Sequence, residues 1–304
     1  MSGSIKAHVA ELSRRGPNKV FGGDLAFAGL PGSVYTPAEG LSLPAVAFCH
    51  GWLTQVGAYE ELLKHLASWG IVAAAPSTER GVVPSHQGLA ADLRTTLDIC
   101  SGVRLGPGKI SVSNDKLAVA GHGMGASCAI LAASGLDHLA SVAAMFPVAT
   151  SPSPVEAAKG LEAPGLIIAT PTDKTLIDPL AREIALAWAG DVQLRALKKG
   201  TGASIPQGRT VMAALGVDKP DKKVRKTLYA VLTGYLLATA GHRKEYKAFA
   251  DLDAVAPMMT AIDPFTPEPP PKPSLLKRAA SSFAEPAPDS LSDRVSGEHV
   301  PAQH

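Results

Sequence analysis

The chain has 304 residues, 46% of them hydrophobic, with 29 Lys+Arg against 27 Asp+Glu for a net charge of +2. That size and apolar content allow one large core with an appendage, while the near balance of charge, with no sustained basic block among aromatics, excludes a nucleic-acid groove. The most apolar helical stretch, Leu228 to Gly241, is shorter than the ~20 residues that span a bilayer, so no transmembrane segment is expected. The N-terminus, Met-Ser-Gly-Ser-Ile-Lys, lacks an apolar run after its charge. Cys49, Cys100 and Cys128 sit in apolar surroundings without metal-ligand spacing. Both features predict a reducing, cytoplasmic setting with no metal and no cofactor.

Val20 to Ala28 and Gly32 to Pro37 read as a short antiparallel hairpin at a sheet edge. Pro44 to Gly51 is an apolar run closed by glycine, followed by a helical Tyr59 to Trp69 and a second buried run, Ile71 to Ala75. Strand, helix and strand at this spacing form a right-handed crossover unit. The alternation continues through a helix over Leu89 to Cys100, a strand over Lys116 to Ala120 and a small-residue helix over Met124 to Ser134. Strands over Ser141 to Phe146 and Gly165 to Ala169, a helix over Pro179 to Trp188 and a strand over Val192 to Leu197 follow. Apolar runs that are continuous rather than alternating imply a mostly parallel α/β sheet covered on both faces. Lys222 to Phe249, with Val224, Leu228, Val231, Leu232, Tyr235 and Leu236 at helical spacing, reads as the last helix of the core.

A domain boundary is placed at residue 262, giving a folded domain over 1–262 and a tail over 263–304. Asp263 to His304 holds nine of the 25 prolines, including Pro269-Pro270-Pro271, the composition of a disordered or polyproline-like segment. Within it, Ser274 to Phe283 can form a short amphipathic turn. The tail is read as a solvated linker first and a protein-partner motif second.

Gly121-His122-Gly123-Met124-Gly125 has the form of the G-x-S-x-G nucleophile elbow, with Gly123 where the serine would stand on the strained strand-to-helix turn. With Phe48-Cys-His-Gly-Trp52 and the order of elements, this run resembles the α/β-hydrolase fold over about residues 20 to 250. More narrowly it is similar to the polyester-hydrolase, cutinase-like and dienelactone-hydrolase-like branch, whose elbow resembles Gly-His-Ser-Met-Gly.

The resemblance implies a catalytic histidine in the loop after the last parallel strand, where Gly200-Thr-Gly-Ala-Ser-Ile-Pro206 places Ala203. It implies an acid in Thr170 to Pro179, at Asp173 or Thr175, and Asp173 can equally be a helix cap. It assigns the oxyanion hole to the backbone N–H groups of Trp52 and Met124, and structural roles in loop hydrogen bonding to His50 and His122. Covalent acyl transfer needs a nucleophile, a base within about 3 Å and an orienting carboxylate, and Gly123 and Ala203 remove the first two. Ser127 and Cys128 lie a turn down the helix and are packing residues. His242, on the last helix, lies too far from the elbow to act as the base. Loss at both Gly123 and Ala203 describes a chain that has left serine chemistry, whereas an engineered serine-to-glycine change would account for Gly123 alone.

The function expected is that of a pseudoenzyme, with the degenerate cleft and the aromatic wall of Trp52 holding a small acyl or aromatic ligand or a protein partner. Two alternatives stand beside it. One is a hydrolase or lyase using His50, His122 or Asp173 with water; the other is a pure scaffold with a filled cleft.

Overall fold

The computed structural model describes residues 4–171, 177–208 and 220–266. The chain divides into two units, Met1–Pro267 and Glu268–His304, and the description below concerns the first.

Among the described residues, one sheet is formed by β1 (Val20–Asp24), β2 (Gly32–Pro37), β3 (Gly40–Cys49), β4 (Val72–Pro76), β5 (Ile110–His122), β6 (Ser141–Met145), β7 (Gly165–Ala169), β8 (Val192–Leu197) and β9 (Met259–Ile262). Their spatial order is β1-β2-β4-β3-β5-β6-β7-β8-β9. The strands from β4 through β8 in that order run parallel, while β1, β2 and β9 are antiparallel to their neighbours. The helices are α1 (Ile5–Leu12), α2 (Glu60–Ser68), α3 (His86–Gly102), α4 (Met124–Ala133), α5 (Pro154–Ala158), α6 (Pro179–Ala187) and α7 (Lys222–Thr239).

Strand β3 shows why its apolar run is continuous. Val46 and Phe48 point into one core with Leu62 and Leu66 of α2 and Leu228 and Leu232 of α7. Their neighbours Ala47 and Cys49 point into another, with Leu93 of α3, Ile130 of α4 and Ile184 of α6. Successive side chains leave a strand on opposite faces, so a sheet covered twice needs apolar residues at every position. Each buried leucine or isoleucine contributes about 1.5–3 kcal/mol. The α/β-hydrolase architecture expected from the chain order is the one observed.

Several elements differ from their sequence expectation. Strand β1 stops at Asp24, whose carboxylate accepts the Ala26 N–H at 2.9 Å and starts a 3-10 turn over Leu25–Ala28. Strand β5 begins at Ile110, because its polar first half alternates on a half-exposed stretch and carries no buried run to announce it. The predicted helix over Lys222 to Phe249 ends at Thr239. There the Gly241 N–H returns to the Leu236 carbonyl, His242 takes φ 52°, and the chain continues as a 3-10 helix over Lys244–Phe249. Helix α1, capped by Ser4 and buried through Val9 and Leu12, was not anticipated, and neither was the edge strand β9.

The folded unit also runs past the expected boundary at Ile262. The Asp263 carboxylate accepts from Phe265 N–H and Thr266 hydroxyl, and Arg182 Nε donates to the Pro264 carbonyl at 3.0 Å. No described helix is long and apolar enough to cross a membrane. All three cysteines are free and buried, and no cluster of metal-ligating side chains occurs among the described residues.

The fold of α7 back onto the 3-10 helix depends on Gly234, where a Cβ would stand 2.6 Å from the Phe249 ring. Gly234→Ala is therefore expected to destabilise by about 1–3 kcal/mol through overpacking, read as a lower urea midpoint at unchanged m-value.

Candidate functional site

The elbow is held by backbone in contact with backbone. A Cβ on Gly121 would lie 2.0 Å from the Gly125 carbonyl oxygen, and one on Gly125 would lie 2.3 Å from the Cys49 carbonyl oxygen. Strand β5, the end of β3 and the first turn of α4 can approach this closely only with glycine at both places.

Gly123 is a different case. It has φ 59° and ψ −122°, a conformation that strains any L-residue, but the nearest atom to its hypothetical Cβ is Gly51 Cα at 3.9 Å. The position has room for a side chain, and glycine relieves strain there rather than crowding. The turn is fastened by the Gly123 N–H, which donates to the Met145 carbonyl of β6 at 2.9 Å, and by the Gly123 carbonyl, which accepts from Ala126 N–H at 3.0 Å.

Gly51 therefore abuts position 123, and the next residue in the chain is Trp52. Among the described residues, neither the Trp52 nor the Met124 amide N–H is spent on a hydrogen bond. As the first residue of α4, Met124 has no intrahelical acceptor. The Trp52 indole does not line the floor of the cleft. Its Nε1–H donates to the Val82 carbonyl at 3.0 Å and its side chain is 44% exposed, on the rim.

Three segments, the β3–α2 connection, the elbow and the loop after β8, are tied together by a hydrogen-bonded run through His122. The Gly51 N–H donates to the Tyr59 hydroxyl at 3.0 Å, and that hydroxyl donates to His122 Nδ1 at 2.8 Å. The other ring nitrogen is bonded to the Gly202 backbone, on the loop after β8, where a Cβ at Gly202 would come within 2.8 Å of it. The donor count makes His122 the neutral Nε2–H tautomer. The residue as a whole is half-buried, and desolvation holds the ring's pKa down at about 4 against the opposing Gly202 bond. Burial also pushes the Tyr59 hydroxyl up, so it stays a donor.

His50 is buried with Nδ1 2.9 Å from the Gly51 carbonyl and Nε2 2.9 Å from the Thr78 carbonyl, which joins the loops after β3 and β4. Ser127 Oγ donates to the Val148 carbonyl at 2.5 Å and accepts the Val148 N–H at 3.2 Å, pinning the loop after β6. Cys128, the next residue of α4, is free and buried.

Ala203 lies in the 3-10 turn Gly202–Ser204, beside the glycine that packs on His122 and Phe146. The loop after β8 thus reaches the elbow histidine through Gly202, with Ala203 the next residue along the chain. His242 is exposed at the far end of α7, where Thr239 bonds Ser141 at the start of β6, the opposite end of the sheet from the elbow. Asp173 and Thr175 lie outside the described residues. Asp178, in the same loop, caps α6 by accepting the Leu180 and Ala181 N–H groups at 3.0 and 3.2 Å. Sequence reasoning missed Tyr59. A lone tyrosine before a helix carries no signal that its hydroxyl reaches an elbow histidine 63 positions away.

The sheet order and the elbow define an α/β-hydrolase-like fold. A chlorophyllase family model matches residues 26–159, a span that holds the loops after β3 and β4 and the whole elbow and supports the same superfamily. No curated protein matches the chain.

Tyr59→Phe leaves the Gly51 N–H and His122 Nδ1 without partners, and an expected loss of about 1–3 kcal/mol follows for each buried group left unsatisfied. Chemical denaturation checks it. His65 is likewise held at about 4 by burial. For both histidines the unfolded chain binds more protons between about pH 4 and 6.5. Stability is full above 6.5 and falls on acidification through that window, by up to about 1.4 kcal/mol per pH unit for each ring. Denaturant midpoints at pH 7, 6 and 5 measure the slope, and His122→Gln should flatten it.

Proposed function

We propose that this chain is a non-catalytic α/β-hydrolase-like protein that holds a small acyl or aromatic ligand above Gly123. The observation that carries the reading is a pair of uncommitted amide donors, at Trp52 and Met124, beside a position with no reacting atom. Around them stands an exposed apolar rim. Trp52 follows β3, Val82 and Val83 follow β4, and Val148 follows β6, with 44%, 70%, 93% and 45% of their surface exposed. Backbone donors of this kind accept an ester or carboxylate oxygen, and an apolar rim takes the hydrocarbon or ring attached to it. The name of the matched family, chlorophyllase, points in the same direction, to an enzyme acting on a large aromatic molecule.

An alternative chemistry through His50 or His122 finds little support in the geometry. Both nitrogens of each ring face groups of the protein itself, which leaves no free nitrogen to pass a proton to a substrate.

Three measurements test the reading. A fluorophosphonate probe is expected to label no serine, and stoichiometric labelling at any position would overturn the non-catalytic assignment. Gly123→Ser is expected to stay close to the wild-type background on p-nitrophenyl esters, since triad members act as a unit worth a factor of order 10⁶. Native mass spectrometry is expected to show a bound fatty acid or aryl ester whose occupancy drops on Trp52→Ala. An unchanged mass at millimolar ligand would leave the cleft as scaffold.

A further inference from the structure

Helices α1, α2 and α7 enclose a second recess on their face of the sheet, a pocket of about 240 Å³ lined by Arg15, Lys64, His65, Lys222, Arg225 and Lys226. Lys64 is paired with Glu60 at 2.7 Å, whereas Arg15, Lys222, Arg225 and Lys226 make no ion pair among the described residues. Glu61 is the carboxylate in the lining. Cations gathered from three segments of the chain, with one opposing charge, repel one another and are relieved by an anion.

His65 supplies an independent observation. Its ring is about nine-tenths buried and bonded to the Leu12 backbone, and its Nε2 is enclosed without any hydrogen-bond partner. An orphaned buried polar atom costs about 1–3 kcal/mol, and this one belongs to a residue that lines the cationic pocket.

The volume is below the ~300–1,000 Å³ of pockets for drug-sized ligands, which suits a single tetrahedral anionic group. Beside it runs a groove of about 630 Å³ that shares Ser13, Lys222 and Lys226 with the pocket. Its apolar floor is Val9, Ala10, Pro257 and Met258, edged by Lys6 and Lys223. Val9 is buried, Pro257 and Met258 are half-buried and Ala10 is a small exposed residue, so no large apolar side chain protrudes from the groove. A bilayer is gripped by protruding apolar side chains; a recessed groove takes a molecule.

We propose that this recess is a binding site for a soluble organic phosphate, with the phosphate among Arg15, Arg225 and Lys226 against His65 and the apolar portion in the adjoining groove. Proton linkage follows. Burial, with a smaller push from Arg15, keeps His65 neutral in the free protein against the opposing Leu12 bond. The groups that line the pocket with it are Arg15 beyond α1, Glu61 and Lys64 of α2, and Lys222, Arg225, Lys226 and Tyr229 of α7. An added anion favours the imidazolium, so binding takes up a proton and the orphaned nitrogen becomes a donor.

The test is calorimetric titration of the full chain with inorganic sulfate, inorganic phosphate and hexyl phosphate. Sulfate keeps its charge across the range, so its affinity is expected to rise from pH 7 to pH 5. His65→Gln should abolish that rise, whereas a rise that persists in His65→Gln would assign the linkage to Glu61 and overturn the role of His65. Arg225→Ala with Lys226→Ala, both surface changes, should weaken sulfate at least about tenfold. Hexyl phosphate should bind about tenfold or more tighter than inorganic phosphate through its buried methylenes. No saturable binding of any of the three at millimolar concentration, or equal binding by the double variant, would overturn the site. Binding to phosphatidic-acid vesicles without binding of hexyl phosphate would overturn the soluble ligand.

Discussion

The close approach of three backbones at Gly121, Gly125 and Cys49 is the constraint on which the rest of the molecule depends. With carbonyl oxygens 2.0 and 2.3 Å from where Cβ atoms would stand, no other residue type allows β5 to hand over to α4 while β3 lies alongside. Once that junction is closed, the position of Gly51 against Gly123 follows, and so does the start of the loop that leads to Tyr59. The glycines at 121 and 125 are required by the crossover between strand and helix, whatever the side chain at 123. The shape of the elbow is thus evidence of the fold, and evidence of function has to come from the residues around it.

Those residues form a polar staple beneath the cleft. Gly51, Tyr59, His122 and Gly202 belong to the loop after β3, the start of α2, the elbow and the loop after β8, and each satisfies the next. His50 and Ser127 extend the same principle to the loops after β4 and β6. His122 suits the task because its neutral ring accepts at one nitrogen and donates at the other, linking the Tyr59 O–H on one side to the Gly202 backbone on the other without carrying charge into the interior.

Much of this was legible in the chain. The parallel strands announced themselves because both faces are covered, and β7 lies where a continuous apolar run predicted it. The glycines of the elbow were readable because their spacing is dictated by sterics. What escaped detection is of another kind. Helix α1 is short and buries a few residues against α7, β9 exists through pairing with β8, and the end of α7 is set by a turn at Gly241 and His242. Each is decided by contacts with distant segments that override local preference. Tyr59 belongs with them, and so does His65, whose orphaned nitrogen is meaningful only once Arg15, Arg225 and Lys226 are seen around it.

The staple has an entropic consequence. Loops that hold a ligand usually lose freedom when it arrives, and that loss subtracts from affinity. Here the backbone beneath the cleft is already ordered through Tyr59, His50, His122 and Ser127, so its ordering is charged to folding rather than to association. For the ligand proposed above, a floor of this kind would discriminate by shape, favouring a molecule that fits the existing contour over one that requires adaptation.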